Sequence, residues 1–187
     1  MSVAPGQLEV VRQFVNTATL FGSEPDALGS PGELLAWLTE QSLVERGAKA
    51  DERDLERSKE LREALRALCL ANSEGELDAA APPVLDAAAK RAGLRLRFDA
   101  RGQATLAPSA EGVSGAHGRL LAIVAESMRN GTWERLKACR ADDCRWAFYD
   151  SSKNHSRAWC SMAICGNRAK ARSFRERHAG DEGESSE

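Results

Sequence analysis

Apolar residues recur at helical spacing from the start of the chain: Leu8, Val11, Phe14, Val15 and Ala18 share one face. In "SPGELLAWL", Ser30 stands at an N-cap, Pro31 at the first helical position and Glu33 at the capping-box position, which predicts a second helix. A third runs from about Asp51 to Asn72, with Leu61, Leu65 and Leu68 on one stripe and charges elsewhere. A fourth begins at Pro82-Pro83 and stops at Gly93. The period then changes. Leu94, Leu96 and Phe98 alternate with Arg95, Arg97 and Asp99, as in a half-buried strand; "DARG" marks a turn and "QATLA" a returning strand. "PSAEGVSGAHG" reads as a loop. A last helix over about 117–130 puts Leu121, Val124 and Met128 on one face and ends at Asn130-Gly131. Residues 1–132 are therefore expected to form a mainly helical α+β domain with a small β-hairpin.

Charge sets the next quarter of the chain apart. The net charge is −2, but residues 133–178 carry eleven Lys/Arg against five Asp/Glu, while the rest of the chain is acidic. Such a basic module between acidic flanks points to one polyanion-binding region. Trp133, Trp146, Phe148, Tyr149, Trp159 and Phe174, six of the ten aromatics, lie in the same stretch, where they predict a small core of large side chains. Residues 179–187, "AGDEGESSE", read as a disordered acidic tail.

That module also holds the chemistry. Cys139-x4-Cys144 and Cys160-x4-Cys165 are two close pairs separated by fifteen residues, the pattern of a four-thiolate zinc site. A disulfide pair or a redox dithiol are the other readings. Apolar runs such as "LLAIVA" at 120–125 fall far short of the ~20 residues that span a bilayer, and the N-terminus lacks a signal-like pattern. A cytoplasmic protein is expected, where disulfides are disfavoured; nor is x4 the short redox spacing. "RWAFYD" alternates like a strand, "SSKN" is turn chemistry and "HSRAW" is expected to return as its partner. Zinc would then clip a knuckle, a hairpin and a helix start together, the staple that a module this small needs. Four thiolates close the coordination shell, so the ion is structural. Gly166 is expected where backbone passes close to the metal. His117, His155 and His178 are expected as surface residues or caps, with His155 the one substitute ligand, and Cys69 as a buried inert thiol.

"WCSMAICGNRAKAR", with "CRADDCRWAFYD" upstream, resembles the CGNR-type zinc finger, and the N-terminal part, with "FVNT" at 14–17 and "ELLAWL" at 33–38, is similar to the ABATE domain that usually precedes it. The resemblance spans nearly the whole chain. It implies a bacterial stress-related transcription regulator with a treble-clef-like finger over residues 133–178. The family's four ligands map onto Cys139, Cys144, Cys160 and Cys165, and its name motif onto Cys165 to Arg168.

Read as a helix, residues 165–178 place Asn167, Ala171, Phe174 and His178 on the core side and Ala169, Ser173 and Glu176 outermost. Arg168, Arg172 and Arg175 form one flank, and Lys170 and Arg177 the other, which suits phosphate contacts. Lys153 and Arg157 on the hairpin complete the expected nucleic-acid-binding set, although Arg168 also has Asp142, Asp143 and Asp150 as structural partners to choose from. No Gly-rich phosphate loop, His-Glu metal motif or paired nucleophile is present, so a binding protein rather than an enzyme is expected. DNA is the expected partner, with an RNA- or protein-binding zinc module as the alternative. The N-terminal domain is expected to sense a small-molecule ligand or to mediate homodimerisation.

Overall fold

The computed structural model describes residues 2–19, 25–172 and 175. Helices α1 (Leu8–Val15), α2 (Pro31–Glu40), α3 (Glu52–Glu74), α4 (Ala81–Ala92) and α5 (Gly112–Arg129) make the body. Strands β1 (Arg95–Phe98) and β2 (Ala104–Ala107) form one antiparallel hairpin, and β3 (Leu136–Ala138) and β4 (Ala147–Tyr149) a second. This is the expected α+β architecture.

Local signals start the helices where the pattern places them. Ser30 accepts from the Glu33 backbone N–H at the head of α2. Asp51 and Asp54 form a reciprocal capping box at the head of α3. Helix α3 is the axis of the body: α1, α4 and α5 pack around it, and β3 lies against its C-terminal half. The core is Val11, Phe14, Leu34, Leu38, Leu61, Leu65 and Leu120.

Several expectations change on contact with the fold. Arg62 and Arg66 lie inside, not on a charged outer face. Arg62 pairs with Asp26 at 2.7 Å and with Glu63 at 2.8 Å. Arg66 donates to the carbonyls of Val15 at 2.6 Å and Ala18 at 3.0 Å. Carbonyls freed at the end of α1 need donors, and a buried guanidinium supplies several at once. The β1–β2 hairpin is not half-buried: Leu96 is 55% and Phe98 68% exposed. Helix α5 begins at Gly112, absorbing most of the expected loop, and its buried stripe runs through Val113, Ala116, His117, Leu120 and Val124, while Met128 is exposed. Small residues permit this close approach. A Cβ on Gly118 would sit 2.7 Å from the Cβ atoms of Ala92 and Pro108.

His117 is likewise a core residue rather than a cap, its Nε2 2.8 Å from the Ser58 hydroxyl. Burial, then the positive charges of Arg91 and Arg57, push its imidazole down from 6.5 to about 4. The folded chain therefore resists a proton that the unfolded chain accepts. Stability from this residue is complete above pH 6.5, declines as pH falls from 6.5 towards about 4, and changes no further below that. The whole shift corresponds to about 3 kcal/mol. Urea unfolding at pH 7 and pH 4.5 is expected to show a loss in the parent of about 2 kcal/mol more than in His117→Gln; equal losses in both would remove His117 from the acid response.

Candidate metal centre and nucleic-acid interface

The finger is built on the β3–β4 hairpin. Its inner residues Leu136, Ala138, Ala147 and Tyr149 belong to the body's core, while Phe148 belongs to a second cluster with the four cysteines. The expected pairing of "RWAFYD" with "HSRAW" is overturned: β4 pairs with β3, with Leu136 opposite Tyr149 and Ala138 opposite Ala147. Residues 155–159 form no strand; their backbone–backbone bond to this region is Arg140 N–H to Ala158 C=O at 3.1 Å. The reason lies at Asp150. Its buried carboxylate accepts from the Ser152 N–H at 3.0 Å, the Ser152 hydroxyl at 2.6 Å, the Arg157 N–H at 3.0 Å and Lys137 Nζ at 3.0 Å. Burial works against the charge, but these donors hold the carboxyl well below the usual carboxylate range. Neither Asp150 nor Lys137 was expected in this role; Lys137 between Leu136 and Ala138 was the available signal.

Cys139 follows β3 directly and Cys144 closes a tight turn, its N–H on Ala141 C=O at 2.9 Å. Arg145 then takes a left-handed backbone, φ 49°, and returns the chain to β4. The second pair is set differently. Cys160 precedes Ser161, whose hydroxyl accepts from the Ile164 N–H at 3.3 Å and so caps the π-helical turn Met162–Gly166. Gly166 N–H reaches Ser161 C=O at 3.1 Å, an i→i+5 closure that widens the turn. The widened turn brings Cys165 to the same point as Cys160, whereas the first pair reaches it through a tight turn. Gly166 serves Met162 rather than the metal: a Cβ there would lie 2.4 Å from the Met162 sulfur and 3.3 Å from the Trp159 ring.

All four sulfurs are buried and lie within 4.8 Å of one another. Cys144 to Cys160 is 3.6 Å and Cys160 to Cys165 is 3.7 Å. A tetrahedron of sulfurs ~2.3 Å from zinc has edges of about 3.8 Å, so the donor set fits that ion. Proton chemistry agrees. Hydrogen bonds from Cys144, then Cys160, hold the Cys139 thiol far below its ordinary value. Cys160, facing Cys139 and then Cys144, is pushed the other way, and burial pushes Cys165 up to about 12. Without a cation the four cannot all be thiolates at neutral pH; zinc binding releases the protons. Cys69 stands apart, buried in the helical body, and burial pushes its thiol up to about 12, which makes it inert.

The finger is bolted to the body by side chains of α1 and α3. Asn16, in "FVNT", donates Nδ2 to Ala147 C=O and accepts from Ala147 N–H, both at 2.8 Å, replacing a neighbouring strand. Asn72 reaches Trp133 C=O at 2.9 Å and Leu136 C=O at 2.8 Å, and Ser73 reaches Ala138 C=O at 2.7 Å. Arg66 donates to Arg145 C=O at 3.0 Å, and Arg145 pairs with Glu74 at 3.1 Å. So a motif noted for its resemblance is the latch between the two halves.

The seven expected nucleic-acid contacts divide. Arg157 is an internal strut: it lies 5.0 Å from the centre of the Phe148 ring and donates to the carbonyls of Trp159, at 3.0 Å, and Cys160. Arg168 is ion-paired with Asp143, tying the helix to the knuckle. Lys153, Lys170, Arg172 and Arg175 are exposed. Arg177 lies outside the described residues, as do Ser173, Phe174, Glu176, His178 and the tail 179–187. The helical residues 167–172 are also rotated from expectation. Asn167 and Ala171 are exposed rather than on the core side, and Ala169 is half-buried rather than outermost. Lys170 therefore faces outward with Asn167. His155 is exposed, in a left-handed turn at φ 50°, and is no ligand.

A groove of about 1120 Å³ runs along the body between the β1–β2 hairpin and helices α1 and α5, lined chiefly by Leu8, Val10, Leu43, Leu96, Leu106 and Ile123. No described helix is long and apolar enough to cross a membrane.

Residues 135–178 match the family model of the CGNR zinc finger. Residues 8–129 match the model of the ABATE domain, whose description reads "Putative stress-induced transcription regulator". No curated protein matches the sequence.

Proposed function

The chain belongs to the ABATE family and ends in a CGNR zinc finger, and from that premise we propose that it is a regulator that binds duplex DNA through the finger, not an enzyme. The helical body senses a ligand or joins two copies. The observation that carries the reading is the exposed cationic helix beyond Cys165. Lys170, Arg172 and Arg175 make no ion pair among the described residues, and zinc and the Arg168–Asp143 pair fix the helix that bears them. Cations left unpaired on a pinned element suit phosphates, whose binding releases counterions.

With Lys153 and Arg177 added, about five phosphates are engaged, and affinity is expected to fall with salt at a log–log slope of about −4 to −5. Arg172→Ala together with Arg175→Ala should make the slope shallower by about two. Gel shifts with duplex DNA, matched RNA and heparin at two salt concentrations test the reading. Preference for one duplex sequence over random duplex supports a regulator. Equal binding to all three leaves only a general polyanion surface, and no binding at all points to a protein partner.

A further inference from the structure

Two large apolar side chains stand in water on the turn that carries Cys165: Met162 is 51% and Ile164 52% exposed. Their exposure is not looseness. The turn is closed at both ends, by the Ser161 cap and by the i→i+5 bond to Gly166, and Cys165 is a zinc ligand within it. Met162 also lies back over Gly166, in the space that a Cβ would fill. Neither residue is used to cover the metal, since Phe148, Ala141, Trp146 and Trp159 pack on the cysteines.

What continues from them decides the reading. Ile164, Asn167 and Lys170 are all exposed, and follow one another from the π-helical turn into the helix beyond it. An apolar group, an amide and an ammonium in that order are the three kinds of side chain that read a major-groove edge: a thymine methyl, adenine N6/N7 and guanine O6/N7. Arg172 and Arg175, also exposed, lie beyond them, where cations position a recognition helix on the backbone. Charge complementarity with phosphates suits a nucleic acid, and side chains that read a major-groove edge commit the occupant to duplex DNA, because the A-form major groove of RNA is too deep and narrow for them to enter.

We propose that Met162, Ile164, Asn167 and Lys170 are the base-reading surface of this protein, and that Met162 and Ile164 recognise thymine methyl groups. The inference rests on the DNA-binding reading above. It assigns specificity to the outward face of the turn and helix, and leaves affinity mainly to the arginines.

The test uses the full-length, zinc-loaded chain and a duplex enriched from a random pool. Deoxyuridine replaces each thymidine in turn, which removes one methyl and leaves every phosphate in place. Loss of about four-fold in affinity per contacted methyl is expected for the parent chain. Met162→Ala with Ile164→Ala should bind the thymidine duplex about ten-fold more weakly, with the salt slope unchanged, and should be indifferent to deoxyuridine. Circular dichroism and zinc content establish that the variant is folded. A parent indifferent to every deoxyuridine, or a double variant that still senses it, overturns the proposal while DNA binding stands. If no duplex is enriched and binding has no salt slope, the underlying reading falls first, and this assignment with it.

Discussion

Stripping zinc is expected to unfold residues 139–146 and 150–172 while α1 to α5, and the β3–β4 hairpin docked on α3, keep their amide protection. Zinc binding contributes about 10–16 kcal/mol to small structural sites of this kind, more than the Lys137–Asp150 pair and the small cluster on that side can replace. The cluster beneath the knuckle is Phe148 with Ala141, Trp146 and Trp159, a very small core once the metal is gone. The other side of the hairpin is different. Leu136, Ala138, Ala147 and Tyr149 are continuous with Phe14, Leu65 and Leu120, and Asn16, Asn72 and Ser73 satisfy the backbone at Ala147, Leu136 and Ala138. Those bonds do not depend on the ion. Hydrogen exchange read by mass spectrometry, with and without a strong chelator, separates the two zones. Cys144→Ser should reproduce the chelated pattern at every pH. Equal loss of protection in α1 and α5 would mean that body and finger unfold as one unit. Unchanged protection in 150–172 would mean that the sulfurs hold no metal that matters to the fold.

The boundary so drawn differs from the one composition suggests. The sequence changes character at Trp133, where charge and aromatics shift together, yet the physical seam runs through the β3–β4 hairpin, with one face in each core. A charge count does not register which face of a three-residue strand meets which core. The four ligands were legible because a closed sulfur site needs two short spacings and little else. The helices were legible wherever a cap and a stripe agreed, as at Ser30 and Asp51. Three misreadings share one cause. His117 was expected at the surface, and the charges of α3, Arg62 and Arg66 among them, only off its leucine stripe, because charge and polarity usually mean solvent, whereas here Ser58, Asp26 and the carbonyls of Val15 and Ala18 supply buried partners from distant parts of the chain. The β1–β2 hairpin misled in the opposite sense. Its alternation is real, but the apolar face of Leu96, Phe98 and Leu106 remains exposed, with Leu96 and Leu106 lining the groove rather than packed in the core. The rotation of the last helix followed from the π-helical turn. An ideal helix counted from Cys165 ignores the extra residue in that turn, and the error carries into Asn167, Ala169 and Ala171.

Lys137→Met is expected to destabilise the finger by about 3–5 kcal/mol, the usual cost of leaving one partner of a buried ion pair alone. Lys137 and Asp150 are both buried, 3.0 Å apart, and the Lys137 ammonium also donates to His155 C=O. The methionine keeps the length of the stem, so the effect reports charge and not a cavity. Asp150 retains three other donors, two from Ser152 and one from the Arg157 backbone, which limits the loss but does not replace the cation. The consequence reaches the metal through geometry. The segment from Asp150 to Arg157 delivers Cys160, and Arg157 in turn holds the Trp159 and Cys160 carbonyls. A finger without this pair should release zinc faster to a chromogenic chelator, and should unfold at lower denaturant with α1 to α5 unaffected. Asp150→Asn alone should also be costly. The two changes together should cost about 2 kcal/mol less than their sum, since the second removes a partner that the first has already lost. Additive losses, or single losses below about 1 kcal/mol, would mean that the pair is solvated and that the β3–β4 hairpin and zinc alone position Cys160.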